Sequence, residues 1–397
     1  MQVSDLKVDA DFKMTMLDCV YEDIRVFALN TKVDDTAEDF DLDEHMEDYL
    51  FYRGVMSHDA CTNEVQTYMF AEPNVFRISE GRHVGVFFYL TCSEDGRVTH
   101  GYRRDFMNGK SEYVVSWDRS EVQQEMDSYP SSWIDTLAVS RFYTLDEYHA
   151  LVAFHLTSER SLRFALMDAV QKTWTEIEVP AFFNGMESMT NYSAYDQTWA
   201  FIKIGEHMPH ERQRIWMTGE EQMLEQCMII KMDRLIEMLK QGGCDFAEYI
   251  FFSSQPQQAL LDMVWRDGRA ELLIQDFLTG SSVLVKYDCQ HGKTIQHGLD
   301  DAYDRLYVSD HSLYAVQEDE GKTKLFQLDE HTEWQLHTGS RRIIAIVDQG
   351  VLTTDMTMLA EDEAIYIHNY DQPEAEVLVQ APCFVDNERQ LILAYKL

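Results

Sequence analysis

From about residue 74 onward, apolar runs of five to eight residues alternate with short polar stretches. The runs are rich in β-branched, aromatic and Leu residues, the pattern of short strands joined by tight turns. Several share a shape, an apolar strand that ends in Asp. They close at Asp168, Asp233, Asp276, Asp329 and Asp371, with a weaker member at Asp105 and one at Asn30 in which Asn replaces Asp. A second series opens a turn after a strand at Asp146, Asp196, Asp310, Asp348 and Asp386, with Glu80 and Ser254 in the corresponding places of two further repeats. Asp suits such turns because its carboxylate accepts the backbone N–H two residues on.

Interleaved, the two series define a four-strand unit, A-B-C-D. Near the end of the chain it predicts strands at 304–309, 312–317, 322–328 and 333–337, then at 342–347, 351–359, 364–370 and 376–380. Residues 383–386 and 390–396 read as strands A and B with no C or D to follow. Runs at 24–30 and 49–54 supply the missing C and D. All seven prolines, at 73, 130, 180, 209, 256, 373 and 382, are expected in turns or linkers, because a ladder strand cannot use a residue without an N–H. The shorter spacings between strand-end anchors match the period of about 40–50 residues of a four-stranded propeller blade.

On this period, closure and turn placement the sequence resembles the broad class of β-propeller repeat proteins over most of residues 20–397, with no specific family identified. The resemblance implies an all-β, closed β-propeller forming a single domain over 1–397. Seven four-stranded blades are expected, six being the alternative, with the first blade shared by N- and C-terminal strands. The fourth repeat carries an insertion at 205–243. Its D strand is either missing or drawn from 218–224. Residues 233–243 read as a short helix with Asp233 as N-cap, Leu235, Ile236 and Leu239 on one face, and Gly242 as the stop.

Charge narrows the class of partner. The chain has 397 residues and a formal net charge of −37, with 45% hydrophobic residues, enough for a large core. Such a chain is repelled by phosphate backbones and by anionic lipid, which argues against direct nucleic-acid binding and against membrane attachment. A basic protein or peptide is the expected partner. Residues 33–48 form an acidic loop in which Asp39, Asp41 and Asp43 are spaced like calcium ligands, but the Gly and Glu that such a loop needs are missing. The seven Cys show no CxxC spacing, no long uncharged apolar window occurs, and the start lacks a signal-like pattern, so a reduced, cytoplasmic protein is expected.

Candidate chemistry is sparse. His207, His210 and Glu211 form the densest set of metal ligands or bases, although Pro209 between them argues against a helix that would align the two rings. Arg97, Arg160, Arg266 and Arg269 are assigned to B–C turns, where they would ring an anionic ligand near the channel mouth. Loops 118–136 and 180–188, with Trp133, Phe182 and Phe183, offer an aromatic patch. No GxSxG, GxxxxGK[ST], GxGxxG or HExxH motif is present, and any cofactor is unknown from the sequence. The leading reading is a non-catalytic protein- or peptide-binding scaffold. The alternatives are a channel-mouth enzyme, a metal-assisted hydrolase or a lyase acting on a sugar or lactone, and an acidic nucleic-acid mimic.

Overall fold

The computed structural model describes residues 2–6, 11–33, 45–106, 109–118, 139–155, 162–178, 185–205, 209–218, 224–242, 245–319, 321–339, 341–355, 364–371, 375–380, 383–386 and 391–395. They are predominantly β-strand and form two compact units. The first comprises Asp9–Ile202 and Ile230–Tyr249. The second comprises Met1–Val8, Lys203–Ile229 and Ile250–Leu397. Among the described residues no helix is long and apolar enough to cross a membrane.

Strand β1 (Gln2–Leu6) belongs to the second unit. The first unit opens on an antiparallel meander of β2 (Phe12–Tyr21), β3 (Ile24–Thr31), β4 (Tyr52–Asp59) and β5 (Val65–Met69), with a short helix, α1 (Met46–Leu50), ahead of β4. A second meander uses β6 (Val75–Ile78), β8 (Val86–Cys92), β9 (Val98–Asp105) and β10 (Ser111–Asp118), with the two-residue strand β7 (Gly81–Arg82) between its first two members. A single pairing of Tyr52 with Val75 joins the two meanders into one nine-stranded sheet. A separate sheet follows in sequence order, β11 (Val139–Thr144), β12 (His149–His155), β13 (Leu162–Asp168) and β14 (Thr173–Ile177). Strand β15 (Met186–Ala194) then pairs with β16 (Gln197–Ile204). The apolar runs explain the burial. Every residue of β8 is buried, as a strand covered on both faces should be, and Phe88, Val152, Phe154 and Met167 share one core.

In the second unit, helix α2 (Pro209–Thr218) is followed by β17 (Gln226–Lys231), which pairs with β18 (Ile250–Ser253). Helix α3 (Met232–Gln241), between those strands in sequence, is part of the first unit. Three meanders follow. They are β19 (Gln258–Arg266), β20 (Arg269–Asp276), β21 (Ser282–Asp288) and β22 (Lys293–Gly298); β23 (Arg305–Ser309), β24 (Ser312–Asp319), β25 (Lys322–Gln327) and β26 (Thr332–His337); and β27 (Arg342–Val347), β28 (Gly350–Thr354), β29 (Ala364–Asn369) and β30 (Glu376–Gln380). The last sheet has three strands, with β32 (Leu391–Tyr395) between β1 and β31 (Cys383–Asp386).

The A, B, C and D strands expected at 304–337 and 342–380 are found within a few residues, except that residues 356–359 of the expected second B strand lie outside those described. Four expectations are corrected. Residues 24–30 do not complete a blade with the C-terminal strands; β3 pairs with β2 and β4, and it is β1 that pairs, in parallel, with β32. The 49–54 run is split between α1 and β4. The last strand of the fourth repeat is β18, after the helix, and does not come from 218–224. Asp233 is not the N-cap of α3, a position held by Lys231; it sits in the first turn and accepts the N–H of Arg234 at 2.7 Å. The rest of that helix is as expected, with Leu235, Ile236 and Leu239 buried and Gly242 closing it at φ 67°.

Side chains on the first strands reach the next first strand in line. Arg77 of β6 donates to the carbonyl of Val139 in β11 at 3.0 Å, and Arg141 of β11 to that of Glu187 in β15 at 3.0 Å. In the second unit, Asp262 of β19 accepts the N–H of Leu306 in β23 at 2.8 Å, and Tyr307 of β23 donates to the carbonyl of Ile343 in β27 at 3.1 Å.

Candidate functional site: an acidic cleft in the first unit

The turns between first and second strands build the cleft. Asp146 follows β11, and its Oδ1 accepts the N–H groups of Tyr148 at 2.8 Å and His149 at 2.7 Å, the side-chain turn for which Asp is suited. Tyr195 and Asp196, between β15 and β16, both adopt left-handed backbone, with φ 55° and 56°, as a two-residue hairpin turn requires. Strand β7 aligns in parallel with Cys19 and Val20 of β2 and lies close against β11. A Cβ on Gly81 would stand 2.7 Å from Thr144 Cβ, so glycine permits that approach. Asn191 of β15 donates to the carbonyl of Thr144 at 2.9 Å, which ties β15 to β11. The amphipathic helix α3 buries its apolar face and leaves Asp233 exposed.

These elements surround a cavity of about 540 Å³. Asp146, Glu147, Asp196 and Asp233 bring four carboxyl groups to it, while Val84 and Ile236 supply apolar wall. Among the described residues no Lys or Arg lines it. Tyr21 also faces the cavity, and its phenol is held above the usual range, first by the charge of Glu22, then by burial, with Glu147 and Asp105 adding to the effect. The cleft is therefore a region of negative potential.

His149 holds two of the acidic turns together. Its Nδ1 lies 2.8 and 2.9 Å from the two oxygens of Asp146, and its Nε2 lies 3.2 Å from Asp168 Oδ2. Lys240 of α3 reaches the same Asp168 oxygen at 3.2 Å, and the other oxygen of Asp168 accepts the N–H groups of Val170 and Gln171, both at 2.9 Å. Burial raises the pKa of both carboxyls, but the bonds outweigh it, and both are held below the ordinary carboxylate range. For Asp146 the counterweights are His149 and two backbone N–H groups; for Asp168 they are the Gln171 N–H, Lys240 and His149. Both ring nitrogens of His149 are engaged, so the ring fixes turns and offers no free nitrogen to a substrate.

The sequence-predicted site residues are not gathered here. Arg97 is exposed in the turn between β8 and β9, 3.7 Å from Asp95. Arg266 and Arg269 flank the turn between β19 and β20, where Asp267 and Gly268 take φ values of 50° and 73°. That is a first-to-second-strand turn, not the expected B–C turn, and in a meander these two kinds of turn lie at opposite strand ends. Arg266 is buried and spends its guanidinium on Glu271 at 2.9 Å, on Asp329 and on the carbonyl of His311 at 2.8 Å; Arg269 lies 3.8 Å from Asp288. These two arginines thus neutralise acidic residues of their own unit. His210 and Glu211 lie in the first turn of α2, which begins at Pro209. Proline does not break a helix there, because an N–H at its first position would have no partner within it. Arg160, His207, residues 34–44 of the acidic loop, Trp133, Phe182 and Phe183 lie outside the described residues. Among the described residues no group of three or more His, Cys, Asp or Glu is placed to hold a metal ion.

His149 and Lys240 are functional residues that the sequence patterns above do not single out. The signal was the spacing Asp146-x-x-His149, which lets a ring fold back onto its own turn; Lys240 carries no comparable mark.

No protein-family model matches the chain, and no curated protein matches it either. Among solved structures it is similar to the β-propeller domain of the Trilobed protease from Pyrococcus furiosus, at 11% identity over 95% of this chain and 99% of that one, TM-score 0.44. It is also similar to an oligogalacturonate lyase in complex with manganese, at 11% identity over 88% and 86% of the two chains, TM-score 0.47. A third likeness is to prolyl oligopeptidase B from Galerina marginata, at 8% identity over 93% of this chain, TM-score 0.48; the chain spans 50% of the length of that peptidase. At TM-scores below 0.5 these likenesses carry neither fold nor activity over to this chain.

Proposed function

We propose that the chain is a non-catalytic binding module, its meanders the blades of a β-propeller, and that the cleft of the first unit takes a Lys or Arg side chain from a basic protein or peptide. One observation carries the reading: Asp146, Glu147, Asp196 and Asp233 meet at one cavity that no Lys or Arg among the described residues lines. Its apolar wall suits the aliphatic stem of such a side chain while the carboxylates take its charged head. The net charge of −37 draws a basic partner from a distance, more strongly at low salt. The recurring meanders and the bonds between successive first strands support the propeller. No observation favours the enzyme or the nucleic-acid mimic.

The test is fluorescence anisotropy of a labelled Lys/Arg-rich peptide, with a Glu-rich peptide of equal length as control. The basic peptide is expected to bind, more weakly at high salt. Asp196→Asn and Asp233→Asn, which keep a side-chain oxygen for their turns, are each expected to weaken it roughly fivefold, about 1 kcal/mol. Equal binding of the two peptides, or affinity unmoved in the double variant, defeats the reading.

A further inference from the structure

A second cavity, of about 390 Å³, lies wholly in the second unit and has the opposite character. It forms where the first strands of three successive sheets begin. Arg305, Arg342 and Cys383 are the first residues of β23, β27 and β31, and all three line it. Thr354, paired across the ladder with Arg342, adds a hydroxyl, and Ile344 and Phe384 add apolar wall. Among the described residues no Asp or Glu lines it.

Two arginines at one cavity are unexpected in a chain with 70 acidic and 33 basic residues. Three other arginines of this unit are committed, Arg266 to Glu271 and Asp329, Arg269 to Asp288 at 3.8 Å, and Arg341 to Asp355 at 2.9 Å. Arg305 and Arg342 make no ion pair among the described residues. The half-buried carboxylate of Asp262, whose charge acts on Arg305, is already engaged by the N–H groups of Met263 at 2.8 Å and Leu306 at 2.8 Å. The walls are held in place as well: the bond from Tyr307 to the Ile343 carbonyl, both lining residues, bridges β23 and β27. A guanidinium is charged at any relevant pH and presents a planar fork of donors that matches a carboxylate or phosphate.

We infer that this cavity is a binding site for a small organic anion, a carboxylate or phosphate monoester carrying a compact apolar group. Arg305 and Arg342 take the anionic head, Thr354 donates a further hydrogen bond, and Ile344 and Phe384 cover the apolar body. The volume falls within the range of small-ligand pockets. The site shares no residue with the acidic cleft and stands or falls independently of it.

Isothermal titration of the full chain with phenyl phosphate tests the inference, with benzyl alcohol as the neutral probe and inorganic phosphate as the head group alone. Phenyl phosphate is expected to bind saturably at one site, more tightly than inorganic phosphate, and benzyl alcohol not at all. Arg305→Gln and Arg342→Gln are each expected to weaken phenyl phosphate by about tenfold or more, as the loss of a charge-assisted hydrogen bond implies. Arg342→Lys, which keeps the charge but loses the fork, is expected to fall between Arg342→Gln and the wild type. Arg342 is exposed, so its variants report on binding even if Arg305→Gln compromises folding. The inference is overturned by the absence of saturable binding, by benzyl alcohol binding as tightly as phenyl phosphate, or by unchanged affinity in a folded Arg342→Gln protein.

Discussion

Arg77 and Val139 lie 62 residues apart, yet the Arg77 Nε donates to the Val139 carbonyl at 3.0 Å. Strand pairing stabilises each meander internally, and the join to the next sheet combines side chains with a short backbone bridge, in which the Glu80 N–H donates to the Phe142 carbonyl at 2.9 Å and the Thr144 N–H to the Glu80 carbonyl at 2.7 Å. Arg77 crosses that join in the first unit, as Asp262 and Tyr307 do in the second. Burial lowers the pKa of the guanidinium, though Arg remains charged, so the bond forms in a partly dehydrated setting where it contributes more than at the surface.

Arg77→Met keeps the apolar stem and removes the donor. We expect it to lower stability by about 1–2 kcal/mol, read as a lower urea midpoint at unchanged slope. A midpoint within error of the wild type would mean that the join does not depend on this bond.

A larger effect is expected at Arg266. Glu271 is wholly buried, with one oxygen held by Arg266 at 2.9 Å and approached by Lys286 at 3.6 Å, while the other has no hydrogen-bond partner among the described residues. Arg266→Met strands most of that charge in the core and is expected to cost about 3–5 kcal/mol. The double variant Arg266→Met/Glu271→Leu should recover much of the loss, because the buried charge goes with its partner. Unfolding midpoints of the two single variants and the double close the cycle. A double variant no more stable than Arg266→Met alone would contradict it.

How much of this was legible in the sequence follows from what marks a turn. Strands at 304–337 and 342–380 were readable because Asp and Gly stand where the chain reverses. The third-strand ends at Asp105, Asp168, Asp329 and Asp371 were identified for the same reason. The anchors at Asn30 and Asp276 were misassigned, since β3 and β20 are second strands; the third strands end at Asp59 and Asp288, whose carboxylates cap turns in the same way, Asp59 to Cys61 at 2.8 Å and Asp288 to Gln290 at 2.9 Å. A carboxylate that caps a turn looks the same in sequence at either end of a strand. That ambiguity shifted Arg266 and Arg269 to the wrong end of their sheet and hid β2. The cleft was legible only in part. Asp146, Asp196 and Asp233 were each visible as punctuation, but their convergence depends on pairings such as β7 with β2, which two residues cannot announce. Arg305 and Arg342 carry no local signal, because what makes them a pair is the alignment of strand starts in neighbouring sheets.

Acid sensitivity is the last consequence. Asp146 and Asp168 in the first unit, and Asp288 and Asp329 in the second, all have folded-state pKa values below the ordinary 3.8, in each case because hydrogen bonds and cations outweigh the cost of burial. A depressed carboxyl binds protons less readily when folded than when unfolded. Its stabilisation is therefore complete above the unfolded value and is lost as pH falls through the folded one. Asp262 has the opposite sign: burial raises its pKa despite two N–H donors, so its protonation partly offsets the loss. Stability should be level near neutrality and fall steadily below about pH 5. Asp168→Asn keeps an oxygen for the Val170 and Gln171 N–H groups but loses the charge facing His149 and Lys240. It is expected to be less stable than the wild type at neutral pH by about 1.5–3 kcal/mol, with the gap closing as acid removes the same charge from the wild type. Urea titrations of both proteins across the acid range decide the matter, and a gap that stays constant down to the lowest pH at which both fold would exclude the Asp168 carboxylate as a source of the acid sensitivity.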